Sequence, residues 1–263
     1  MTEICHPILT FANHYTYQYE FDKQVRAPLT ILYLHGLSSN PWGKKPEAVH
    51  QLAQRLGVNF FRYELAGHGV DAQHYDETDL EVWRDQAVDI IKNQIKGNVL
   101  LVGHCIGGWT SLLTAIACPE QVKGVICTST APNLYRLLMH IATAEQKAEL
   151  AAKHKITVGK ERLIFTFTER FMECARRNAL TEMPSIPIHC PVHLLQGLQD
   201  TFIDWRIVLK LSEKIESESV VAKILKNMNH HAQKPTDIEE INRSIGDIIH
   251  QILHKKPIFP QQM

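Results

Sequence analysis

The 263-residue sequence has no CxxC pair, no glycine–serine linker, no internal repeat and no unbroken run of about 18 apolar residues. Its first eleven residues, Met1–Phe11, contain neither Lys nor Arg and include His6 and Pro7. The charged start and apolar run of a secretory signal are therefore missing. Without a spanning segment or a signal, the expectation is a cytoplasmic protein. Net charge is absent as well: 28 Lys+Arg balance 28 Asp+Glu, which leaves no basic excess to hold a phosphate backbone. Nucleic acid is accordingly excluded from the expected partners. The six cysteines (Cys5, Cys105, Cys118, Cys127, Cys174, Cys190) are scattered, which fits neither a disulfide scaffold nor a zinc knuckle. Cys118 and Cys127 read as buried reduced thiols.

What is present is enough apolar sequence for a sizeable core. Hydrophobic residues make up 44% of the chain and charged residues 21%, which excludes a disordered scaffold. His14–Phe21 alternates aromatic and polar residues, the period of a half-exposed strand. Leu29–Leu34, Asn59–Leu65, Val99–Val102, Val122–Thr128 and Val192–Leu195 are short apolar runs of the kind that become strands covered on both faces. Helical patterns lie between them at Lys45–Leu56, Asp79–Lys96 and Gly108–Cys118. Such alternation predicts an α/β fold with a mostly parallel sheet flanked by helices.

The rhythm stops at Asn133–Met183, which reads as helices Leu134–Ala142, Ala144–His154 and Lys160–Ala175 with no strand. The reading is a helical cap at 133–183 inserted into a core made of 1–132 and 184–263. Beyond it, a strand through Leu195, a helix near Trp205–Ile215, a strand Val220–Leu225 and a helix Thr236–Leu253 complete the pattern.

The most informative segment is Val99-Leu100-Leu101-Val102-Gly103-His104-Cys105-Ile106-Gly107-Gly108, an apolar strand running through Gly-x-Cys-x-Gly into an apolar helix. This is the setting of a nucleophile elbow, where glycines permit a sharp turn and the helix dipole favours an anionic nucleophile at its tip. Cys105 is the candidate nucleophile, against the plainer reading of a structural cysteine at a βα turn. The run Leu32-Tyr33-Leu34-His35-Gly36-Leu37 ends a second strand in a turn. Backbone N–H groups of Leu37 and Ile106 are the candidate oxyanion hole. Asp200 follows a late strand and is the candidate acid, with Asp204 read as a helix-capping residue. Of His230 and His231, placed after the last strand, only one is expected to act.

The order nucleophile, acid, histidine, with Glu64-Leu65-Ala66-Gly67-His68-Gly69 after an early strand, resembles the α/β-hydrolase superfamily from about Tyr15 to Leu253. Gly197-Leu198-Gln199-Asp200 with Trp205, and His230 before Lys234-Pro235-Thr236-Asp237-Ile238, are similar to a branch of acyl esterases, palmitoyl-protein thioesterases and acyl-glucuronide hydrolases. The resemblance implies an α/β-hydrolase fold, a triad of Cys105, Asp200 and His230, no cofactor, and a small-molecule acyl ester or thioester as substrate. It also favours His230 over His231 and Asp200 over Asp204. The chain departs from that branch in carrying Cys105 where the branch has serine. A natural cysteine hydrolase, a weak or inactive ligand-binding relative, and a serine-to-cysteine replacement all stay open, as does acyl transfer by the same triad.

Three further features have plainer readings. Fifteen histidines suggest metal, yet neither His230 nor His231 has a helical HxxxH partner four positions away, and no metal site is expected. Trp42, Lys44 and Lys45 read as a solvated loop and helix start, with contact to an anionic substrate group as the alternative. Leu137, Leu138, Ile141, Phe165, Phe167 and Phe171 read chiefly as packing of the cap, with an acyl pocket as the alternative.

Overall fold

The computed structural model describes residues 6–160 and 163–254; Cys5 lies outside them. Eight strands form one sheet in the order β1-β2-β4-β3-β5-β6-β9-β10. They are β1 (Ile8–Phe11), β2 (Tyr15–Asp22), β3 (Thr30–Leu34), β4 (Asn59–Tyr63), β5 (Val99–His104), β6 (Val122–Thr128), β9 (Val192–Gly197) and β10 (Val220–Leu225). From β4 to β10 every pairing is parallel, whereas β1 and β2 are antiparallel additions at one edge. All five residues of β3 are buried, because helices cover both faces of the sheet.

Side-chain alternation along β3 divides the core in two. Ile31 and Tyr33 face α1 (Lys44–Leu56) and α8 (Pro235–Leu253), joining Val49, Ala53, Ile241 and Ile245. Leu32 and Leu34 face the opposite layer, with Trp83 of α2 (Leu80–Asp89), Trp109 of α3 (Ile106–Ala117) and Leu211 of α7 (Arg206–Lys214). Asp79 starts α2 by accepting hydrogen bonds from the backbone N–H groups of Glu81 and Val82, each at 3.0 Å.

The segment between β6 and β9 holds α4 (Leu134–Ile141), α5 (Ala144–Lys153), β7 (Lys155–Lys160), β8 (Leu163–Thr168) and α6 (Glu169–Arg177). Strands β7 and β8 pair only with each other, as an antiparallel hairpin separate from the main sheet. Helices α4, α5 and α6 keep the segment largely helical, but the expected absence of strands in 133–183, and Lys160–Ala175 as one helix, do not hold. Ile156 and Val158 on one strand and Phe165 and Phe167 on the other are buried at period-two spacing, the pattern of a hairpin with one covered face.

Chain direction also explains where a site can form. From β3 the chain moves to β4 on one side, then returns to β5 on the other. Strands β3 and β5 are therefore the switch point of the sheet, where loops leaving the carboxyl ends diverge and open a crevice.

Candidate active site

Both loops at the switch point carry candidate residues. Strand β5 turns into α3 at Cys105, whose backbone sits at φ 54°, ψ −116°, a conformation that L residues adopt only under strain. The flanking glycines are required by contact. A Cβ on Gly103 would run into the Gly107 carbonyl and the Ser111 side chain, and one on Gly107 would run into the carbonyls of Leu34 and His35. The turn is thus pressed against the neighbouring loop, with the Cys105 thiol at its partly exposed tip.

Asp200 and His230 arrive from the loops after β9 and β10. His230 Nδ1 donates to Asp200 Oδ2 at 2.9 Å, which fixes the ring and leaves its other nitrogen unused by Asp200, with Cys105 close enough to act on the imidazole. Asp200 Oδ2 also accepts from Gln196 Nε2 at 2.8 Å, and Oδ1 accepts from the backbone N–H groups of Phe202 and Ile203, each at 2.9 Å. Burial alone would raise the Asp200 pKa, but the hydrogen bond and charge of His230 and these backbone donors outweigh it and hold the acid below its ordinary value. Burial likewise opposes a charged His230. Cys105 and the Asp200 carboxylate, through charge and hydrogen bonding, overcome that and raise it to about 10. His231 makes no such contact; its backbone N–H donates to Asn229 Oδ1. Asp204 is exposed and accepts from the Arg206 backbone N–H at 2.9 Å at the start of α7.

Neither the Leu37 nor the Ile106 backbone N–H has a hydrogen-bond acceptor among the described residues. Two histidines brace the loop that carries Leu37. His35 donates from Nδ1 to the Gly36 carbonyl at 2.8 Å and accepts at Nε2 from the Leu65 N–H at 3.0 Å. His68 accepts at Nε2 from the Ser38 N–H at 3.3 Å and donates to the Ala66 carbonyl. Both rings must be neutral to accept. Burial pushes His35 down to about 3 and lowers His68 as well. The sequence marked these histidines only as turn residues; their cross-loop partners lie about thirty positions away and leave no local signal.

The crevice over Cys105 is a cavity of about 270 Å³ between the β3–α1 loop and the loop of His230, with Phe165 also in its wall. Lys45 is part of its wall and is only 5% exposed, which corrects the reading of that residue as solvated. Lys44 is exposed, as a helix start would be. Of the other apolar residues singled out, Leu138, Phe167 and Phe171 are buried in the core, while Leu137 borders a separate cleft with Phe202 and Ile203. Asp79, Glu81 and Cys174 bring ligand atoms within 4.8 Å of one another, the one such group among the described residues. Their charges are already answered: Arg170 pairs with Asp79, and Arg177 and Asn178 meet Glu81. No helix among the described residues is long and apolar enough to cross a membrane.

Comparison with known proteins agrees with this architecture. The profile of the alpha/beta hydrolase family matches residues 31–211. Mouse (Mus musculus) palmitoyl-protein thioesterase ABHD10, mitochondrial, is 30% identical over 226 residues, spanning 84% of this chain and 75% of the relative. The human (Homo sapiens) protein of the same name is 27% identical over 225 residues, spanning 84% of this chain and 73% of the relative. The structure of mouse alpha/beta hydrolase domain-containing protein 10 superposes with a TM-score of 0.84 at 28% identity, covering 94% of this chain and 99% of the other. Est1E from Butyrivibrio proteoclasticus, bound to ferulic acid, shares the fold with a TM-score of 0.74 at 17% identity, covering 92% of this chain and 97% of that one.

Proposed function

The chain belongs to the alpha/beta hydrolase family, and we propose that it hydrolyses acyl esters or thioesters without a cofactor, through a covalent acyl-enzyme on Cys105. The observation that carries this reading is His230 held by Asp200 and acting on a strained Cys105 in the same cavity, beside two unused backbone donors. The thioesterase named among the relatives supports the substrate class.

In the proposed reaction His230 and Cys105 form an imidazolium–thiolate pair, and Sγ attacks the substrate carbonyl carbon. The carbonyl electron pair moves onto oxygen, which the N–H groups of Leu37 and Ile106 receive. The adduct collapses with cleavage of the bond to the leaving group, which takes the proton from His230. His230, neutral again, removes a proton from water. The resulting hydroxide attacks the thioester, and the C–Sγ bond breaks to release the acid and restore the pair.

Sulfur limits which substrates complete the first half. A thiolate, with a free pKa of about 8.5, leaves far more readily than an alkoxide, so the adduct of a simple alkyl ester returns to substrate. Thioesters, aryl esters and activated lactones carry leaving groups able to compete. The test is incubation with p-nitrophenyl acetate and acyl thioesters, followed by intact-mass and peptide mass spectrometry. Turnover with one acyl adduct, on Cys105, is expected; turnover that survives Cys105→Ala would overturn the reading.

A further inference from the structure

The proposed acyl-transfer steps make no use of Lys45, although it shares the cavity with Cys105. Its Nζ donates to the His231 carbonyl at 2.9 Å, and no second acceptor lies within reach among the described residues. An ammonium has three N–H donors, so two are left over. Buried lysines are ordinarily paired with a carboxylate. Here Asp237 and Cys105 are close enough to act on Lys45 through their charge, but neither forms an ion pair with it. Asp237 Oδ2 is instead occupied by the Lys234 backbone N–H at 3.1 Å.

The surroundings favour an incoming anion. No Asp or Glu lines the cavity; Ser38, Ser39, Asn40 and Gln233 supply neutral polar groups. Of the titratable neighbours, His104 and His231 are kept neutral, first by burial and then by the positive charges around them, Lys45 included. Burial brings Lys45 itself down to about 7, against the upward pull of Cys105 and Asp237. An anion bonded to Nζ would offset that burial and hold the ammonium charged. At about 270 Å³ the cavity falls just below the ~300–1,000 Å³ range of pockets for drug-sized ligands, so the molecule it takes is small.

We propose that Lys45 anchors a carboxylate of the substrate, making this a site for small esters or thioesters that carry a carboxylate a few bonds from the reacting carbonyl. This assignment rests on the hydrolase reading above. The carboxylate can belong to the acyl half or to the leaving half, and paired substrates separate the two. One pair is the succinyl and butyryl thioesters of N-acetylcysteamine; the other is S-acetyl-3-mercaptopropionate and its amide. For the charged member of one pair, kcat/KM should fall by ~10- to 100-fold in Lys45→Met, the scale of a charge-assisted hydrogen bond, with under ~3-fold change for its neutral partner. The pair that responds locates the carboxylate. Equal losses for charged and neutral members of both pairs would overturn the assignment and leave Lys45 as a brace for the His231 loop.

A binding measurement needs no turnover and no variant. Glutarate should slow alkylation of Cys105 by iodoacetamide in the parent protein, and neutral glutaramide should not. If both compounds protect equally, or neither does, the Lys45 assignment fails even where thioesters are hydrolysed. Hydrolysis that is independent of Cys105 would remove the proposed acyl-enzyme and leave the glutarate result to decide the anion site.

Discussion

Replacing Asp200 by asparagine exchanges a single non-hydrogen atom, a carboxylate oxygen for an amide nitrogen, and tests the whole proposed arrangement. The Asp200 side chain is fully buried, and its two oxygens accept from His230 Nδ1, Gln196 Nε2 and the backbone N–H groups of Phe202 and Ile203. All four partners are donors. An amide has a single accepting oxygen, so if that oxygen keeps the two backbone donors, the NH₂ group meets Gln196 and His230. His230 can then avoid a donor–donor contact only by moving its proton to the nitrogen that faces Cys105, which leaves no base for the thiol. The negative charge that helps raise His230 to about 10 is lost at the same time. Acylation should fall by ~10³- to 10⁴-fold, the scale that wrong-tautomer placement reaches in serine hydrolases. Donors left without acceptors should lower stability by about 1–3 kcal/mol. Stopped-flow release of p-nitrophenol at pH 7.5 measures acylation, and urea unfolding establishes how much protein is folded. A fully folded Asp200→Asn variant that acylates within ~10-fold of the parent would refute the role given to this carboxylate.

Two further outcomes follow from the same geometry. In Cys105→Ser the imidazole must remove a proton from a much weaker acid in unchanged surroundings, so thioester turnover should drop by roughly tenfold or more; a large gain on alkyl esters would show a pocket built for an oxygen nucleophile. His35 has a folded pKa of about 3 against an ordinary 6.5, so below pH 6.5 the unfolded chain binds more protons than the folded one. Its contribution to stability is complete above pH 6.5 and is lost on descent toward pH 3, at up to about 1.4 kcal/mol per pH unit, with His68 and His104 shifted in the same direction. Urea midpoints at pH 6.0, 5.5 and 5.0, where His230 is largely protonated in the folded and unfolded chain alike, should decline accordingly, and a flat or rising series would contradict the buried neutral histidines.

Much of the fold was legible because its signals are local. Leu29–Leu34 and Val99–Val102 are unbroken apolar runs, and a strand covered on both faces admits little else. Gly103 and Gly107 bracket Cys105 at the spacing a sharp strand–helix turn demands, so the strained backbone at Cys105 was foreseeable without coordinates. The hairpin β7–β8 was not. Its two strands are six residues each, pair only with each other, and precede a helix whose apolar spacing spreads a 3.6-residue pattern backward over them. Local residue patterns were enough for the alternating strands and helices, the turn at Cys105 and the chain order of Asp200 and His230. Long-range packing settles that His230 meets Asp200, how His35 and His68 hold the Leu37 loop, and that Lys45 lies inside the cavity with Cys105. Those outcomes depend on segments far apart in the chain, and burial that strips water from a side chain is set by what packs against it, which residue type alone does not encode.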